Sequence, residues 1–248
     1  MDDEKITYKG YELAVKHGIK NICVHKGLFP QATAERWPHL LAYADVRDVG
    51  KAAKDWPQLN FVIYHGGYRN AAGGRAEVAW EEFEKTGRVS WVSDLAEIPE
   101  KFGVTNVYAD VGQLFAQSVA AQPLITAAMM GIMIKGLGVD RVCWGTDAVW
   151  TGSPQWQIEA LRRLEIPEDM QKKHGFKPLG AADGPIKTAV FSGNNARLYG
   201  IDPNKRSDIG PNKDRFARMK DEYEKNGPAR SNLRYGYVNG PVDWSAFA

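Results

Sequence analysis

Only two cysteines, Cys23 and Cys143, occur in 248 residues, which excludes a disulfide-stapled scaffold. Charge of one sign is not in excess either. The 32 Lys and Arg against 30 Asp and Glu leave a formal net charge of +2. That is too little to point to nucleic acid or an anionic membrane as a main partner. No apolar run reaches the roughly 18 residues of a membrane-spanning helix. The longest candidate, around Leu124 to Leu137, is broken by Gly131, Lys135 and Gly136. The first residues, MDDEKITYKG, are acidic and polar and do not read as a secretory leader, so a cytoplasmic place is expected. The glycine-rich stretch HGGYRNAAGGR contains neither G-x-x-x-x-G-K-[ST] nor G-x-G-x-x-G, so no nucleotide cofactor is expected. G-x-S-x-G is missing as well, which removes a serine hydrolase elbow.

What the sequence does contain is ordinary globular composition, 44% hydrophobic and 25% charged. Four short runs rich in β-branched and aromatic residues read as buried strands: Asn21 to His25, Phe61 to His65, Asn106 to Val111 and Arg141 to Trp144. Helical stretches separate them. These are Tyr11 to His17, Arg47 to Lys54, Glu77 to Lys85, Ser93 to Phe102, Gln117 to Lys135, Pro154 to Leu164 and Pro185 to Tyr199. Strands alternating with helices predict right-handed parallel βαβ units, four of them, at about 40 residues each. The expected division is a folded portion over residues 1–201 and a polar extension over 202–248. In the extension, Arg215 to Lys225 reads as a helix, and the aromatic end SNLRYGYVNGPVDW suits docking.

Three polar residues end these strands or follow them: His25, His65 and Asp147. In parallel sheets and barrels the carboxyl ends of the strands carry the active site. Imidazole and carboxylate are what a zinc-type site needs, and the same pair does acid/base work without a metal. A lone histidine at a strand end is more often structural, but three polar residues at one topological position make a stronger signal. Alternation along the strands places His25 with Cys23, and His65 with Phe61 and Ile63, on the face that a barrel would enclose. Asp110 ends the third strand. It either lines the site or bonds the following turn, and the turn is the preferred reading. Arg69 and Trp144 are candidates for holding an anionic or aromatic substrate, weighed against a surface ion pair and a core position. His17, His39 and His174 read as surface residues. Both cysteines read as small buried hydrophobes.

A His-x-Gly strand, an apolar strand ending His-Gly-Gly, the tetrad Trp-Gly-Thr-Asp and the closing segment Phe191 to Ile201 together resemble the amidohydrolase-related family. This is the branch that includes aminocarboxymuconate-semialdehyde decarboxylase, and the resemblance runs from about Tyr11 to Asp202. It implies an α/β fold, the metal-dependent (β/α)8 TIM barrel, here only its last four β/α units. It implies His25 and Asp147 as metal ligands, with Asp147 also an acid/base, and His65 as the histidine that activates water or positions substrate. The implied cofactor is a divalent metal, zinc first, with manganese or iron as the others. The implied activity is hydrolysis of a small molecule by a metal-activated water. Non-oxidative decarboxylation of an aromatic or unsaturated acid on the same site is the alternative, and an inactive binding or assembly module is a second one. One departure is large: the family's first-strand His-x-His pair occurs nowhere in this chain. Eight units would need roughly 320 residues. A half-barrel also leaves sheet edges and a face uncovered, which predicts a homo-oligomer or a complementing N-terminal half.

Overall fold

The structure is a computed structural model that describes residues 1–69, 76–148, 150–202 and 215–227. The chain divides into two units, Met1–Asp202 and Pro203–Ala248. In the first, four parallel strands pair in chain order: β1 (Asn21–His25), β2 (Asn60–Tyr64), β3 (Val107–Asp110) and β4 (Val142–Cys143). Around them lie α1 (Thr7–Lys16), α2 (Gln31–Arg36), α3 (Leu41–Ala44), α4 (Val49–Asp55), α5 (Ala76–Thr86), α6 (Val92–Ala96) and α7 (Ile98–Phe102). There follow α8 (Gly112–Ala121), α9 (Pro123–Leu137), α10 (Gln155–Arg163), α11 (Glu168–His174), α12 (Pro185–Thr188) and α13 (Asn194–Tyr199), with a π-turn over Ala189–Gly193. This is a partial (β/α) barrel of four units. Of the second unit, the described part is α14 (Arg215–Asn226), whose Lys220 and Glu224 form an i,i+4 ion pair. The aromatic end of the chain lies outside the described residues, as do residues 70–75 of the glycine-rich stretch.

Register shows which side chains share a face. Cys23 lies opposite Val62 and His25 opposite Tyr64, while Val62 pairs with Tyr108 and Asp110 with Cys143. That set forms the inner face. Phe61, Ile63, Val107, Ala109 and Val142 form the outer face, and all are fully buried beneath helices. The Phe61 ring meets Tyr11 of α1 at 5.4 Å, edge to face, beside Trp56. The expectation that Phe61 and Ile63 share the enclosed face with Cys23 is therefore corrected: they belong to the helix-covered side.

Two long helical stretches are each two helices. Pro99 sits in the first turn of α7 and splits Ser93 to Phe102. Pro123 does the same at the start of α9 and splits Gln117 to Lys135. The α9 helix is buried nearly all round, and Gly136 lets it lie against the Ala96 backbone, where a Cβ would stand 2.3 Å from the carbonyl oxygen. Among the described residues, no helix is long and apolar enough to cross a membrane.

Asparagines fix the amino ends of the strands. The Asn106 amide donates to the carbonyls of Ala53, Trp56 and Leu59, and the Asn194 amide to those of Val139 and Val142. The carboxyl ends carry other chemistry.

Candidate active site

His25 closes β1 with an exposed side chain on the inner face. Alternation turns the next residue, Lys26, outward, where its buried ammonium donates to Asp48 and to the Tyr43 carbonyl. His65 arrives by a different route from the one alternation suggests. The strand stops at Tyr64, and His65 takes a left-handed backbone conformation with φ 59°. That turn brings its ring to 4.8 Å from the His25 ring, nearly perpendicular to it. Asp147, in the loop after β4, is left-handed too, at φ 51°. Among the described residues four non-glycines have positive φ, and two of them are these site residues. Left-handed geometry in a residue with a Cβ costs about 1 kcal/mol or more and collects at functional sites.

His65 is buried, and its Nδ1 accepts the Gln113 amide at 3.1 Å. An accepting Nδ1 leaves the proton of the neutral ring on Nε2. Burial, followed by repulsion from His25, lowers the His65 pKa to about 4, although Asp147 opposes the shift. The ring is therefore neutral near pH 7 and offers an N–H donor.

Asp110 sits beside the candidate site as well as at the turn after β3. It shares the inner face, and its carboxyl fits against the backbones of Gly112 and Gly145. A Cβ at Gly145 would lie 2.3 Å from Asp110 Oδ2, and one at Gly112 would lie 2.5 Å from His65 Nδ1. Burial, then the Asp147 charge, pushes the Asp110 pKa up to about 7, with the Gly112 amide pulling the other way. Glycine at both positions is the sequence signal that these carboxyl and imidazole groups need room.

The remaining candidates lie elsewhere. Trp144 packs between Phe115 at 5.2 Å and Phe191 at 5.0 Å, on the side of the sheet that Val142 faces, which is the core alternative. Arg69 is exposed, with its guanidinium 5.4 Å over the Trp91 ring rather than in an ion pair with a described residue. His174 ends a short helix that sequence periodicity misses and stacks on Phe83 and Phe176. Cys143 is buried, but Cys23 is exposed, so the reading of both as buried hydrophobes holds for Cys143 alone.

Does this donor set suit a divalent metal? A catalytic zinc site takes three protein ligands. Among the described residues no group of three His, Cys, Asp or Glu side chains lies close enough to hold one. His65 presents a proton and not a lone pair. His25 and Asp147 remain, so this chain's described residues do not by themselves fit a complete metal centre.

The family model described as amidohydrolase matches residues 1–201. The chain belongs to the amidohydrolase family. The Sphingomonas paucimobilis 5-carboxyvanillate decarboxylase structure is 15% identical, with 81% of this chain and 55% of that chain covered and a TM-score of 0.44. A dihydroxybenzoic acid decarboxylase from Polaromonas with bound manganese is 15% identical over 84% of this chain and 57% of its own, at TM-score 0.41. A Pseudomonas putida protein assigned as a 2-pyrone-4,6-dicarboxylic acid hydrolase is 15% identical over 77% and 67%, at 0.38. This amidohydrolase chain thus spans little more than half the length of the first of these structures. No curated protein matches it at a significant level.

Proposed function

We propose that the chain supplies the carboxyl-terminal half of a small-molecule hydrolase site of the amidohydrolase type. The observation that carries this reading is the meeting of two imidazoles at 4.8 Å beside strained His65 and Asp147 backbones, at the carboxyl ends of parallel strands. Asp147 accepts the proton of the attacking water and returns it to the leaving group of an amide, ester or lactone. The His65 Nε2–H holds the oxygen on which negative charge develops. His25 and Asp147 are this chain's share of the ligands for a divalent metal, and the other ligands come from outside the described residues. A polypeptide that continues the sheet at both open edges supplies them, either a second copy of this chain or a complementing N-terminal half.

One observation favours a second reading, decarboxylation. The exposed Arg69 guanidinium, held over Trp91, is available to a substrate carboxylate.

The test assays the full chain with zinc or manganese on an aryl lactone, dihydrocoumarin, and on 2,6-dihydroxybenzoate, with carbon dioxide release followed for the latter. Lactone hydrolysis should fall by about a hundredfold or more in Asp147→Asn and somewhat less in His65→Asn. Carbon dioxide release that Arg69→Met abolishes would establish the second reading instead. Hydrolysis that survives Asp147→Asn rejects the role given to that carboxylate. An assembled oligomer silent on both probes points to a chain retained for binding or assembly.

A further inference from the structure

The loop that carries Asp147 is held from α10 by one fully buried amide, Gln157. Its Nε2 donates to the Thr146 carbonyl at 3.1 Å and to Thr151 Oγ1 at 2.9 Å. Thr151 Oγ1 in turn donates to the same Thr146 carbonyl at 2.8 Å. Gln157, Thr146 and Thr151 therefore close a triangle beside Asp147. Inside it, the Ala148 amide donates to Thr146 Oγ1 and the Trp150 amide to the Asp147 carbonyl. The peptide joining Thr146 to Asp147 is the one whose carbonyl is gripped twice, and it leads directly into the left-handed Asp147.

The other inward residue of α10, one turn on, is Leu161, which is buried as an apolar core position should be. At position 157 the helix presents an amide to the core instead. Burying an amide costs stability unless it is bonded. The Gln157 Oε1 finds no partner among the described residues, so both bonds that it makes run to the loop. A leucine there would serve packing alone.

We infer that Gln157 is a positioning residue for Asp147. It locks the Thr146 carbonyl so that the next residue keeps the strained backbone that presents its carboxylate. The inference rests on the reading of Asp147 as the proton-transfer group.

The test uses the full chain and two kinds of measurement. Hydrogen exchange of the Ala148 and Trp150 amides should quicken by about tenfold or more in Gln157→Leu, while sheet amides such as that of Val107 stay slow. Thr151→Val should quicken the same amides, and Thr151→Ser should restore them. That pair keeps the question decidable if Gln157→Leu does not fold. Unchanged loop exchange in Gln157→Leu, or in Thr151→Val, overturns the clamp. In dihydrocoumarin hydrolysis, Gln157→Leu should lower kcat by about ten- to a hundredfold with KM within about threefold. In an Asp147→Asn background it should cost nothing more, since the group it positions is gone. An equal loss in both backgrounds means a general structural role and rejects positioning. If Asp147→Asn alone leaves hydrolysis unchanged, the proposed function has failed, and with it any catalytic meaning of the clamp. The exchange result then separates that failure from failure of the clamp itself.

Discussion

The two faces of one sheet differ more than its two edges do. The outer face, with Phe61, Ile63, Val107, Ala109 and Val142, is sealed by helices, and none of these five side chains is polar. The inner face, a residue away along each strand, carries Cys23, His25, Tyr64, Tyr108 and Asp110, and several of these are open to solvent. A parallel sheet in an α/β protein is ordinarily covered on both sides. The contrast therefore separates what holds the fold together from what the fold presents.

The largest test of that separation is a pair of substitutions on adjacent residue types. Phe61→Ala should destabilise by about 3–5 kcal/mol, because the ring fills the junction of Tyr11, Trp56 and the sheet. Tyr64→Phe, on the inner face and 37% exposed, should change stability by no more than about 1 kcal/mol. Denaturant midpoints of the two variants read the difference. Similar losses would mean that the inner face is as firmly packed as the outer.

A smaller effect is expected where the inner face becomes the site. Gly145→Ala drives a methyl group into the Asp110 carboxyl and should cost about 1–3 kcal/mol. Gly10→Ala in α1, where nothing lies within 4 Å, should stabilise by about 0.5–1 kcal/mol, as a helical glycine replaced by alanine does. Thermal melts of both variants decide whether the Asp110 pocket is as tight as its geometry says.

The inner face also divides along β1. His25→Ala should weaken zinc binding to the full chain by at least about tenfold, the lower end of what even the loss of an outer-shell partner costs. Cys23→Ala, two residues earlier on the same face, should leave it unchanged. Competition against a colorimetric chelator measures both. Equal affinity in wild type and His25→Ala removes the ligand assignment.

Much of the outer face was legible in the sequence, and less of the inner one. The strand Asn21 to His25 has the bounds that composition gives it, because β-branched residues between a glycine-lysine turn and a second glycine allow little else. The pairing of His65 with Ile63 failed because alternation assumes that the strand continues. Instead the backbone turns left-handed at His65, and only the following Gly66-Gly67 hints at it. The place of Asp110 beside His65 was hidden by an ambiguity that no spacing resolves, since a carboxylate two residues before a glycine suits a turn and a site equally well. Gln157 carries no motif at all. Its signal is a polar residue four before Leu161 on the buried side of a helix, and that is visible only once the buried side is known. The short helices α2, α3 and α11 are held by tertiary contacts rather than by a period long enough to read.

The smallest effect in energy is the most direct probe of whether the inner face is covered in solution. Cys143 is buried on that face in the edge strand β4, beside Asp110, and burial, with Asp110 adding, pushes its thiol up to about 12. At pH 8 very little of Cys143 is then a thiolate. Cys23 is exposed, with Sγ 3.6 Å from the Tyr199 hydroxyl. Native iodoacetamide labelling should therefore modify Cys23 and spare Cys143, with both modified in denaturant. If a second copy closes the sheet, dilution toward the 27.6 kDa monomer should speed Cys23 labelling and leave Cys143 untouched. If light scattering shows a monomer and labelling of Cys23 is the same at every concentration, no second copy covers this face. The complementing N-terminal half is then the reading to pursue.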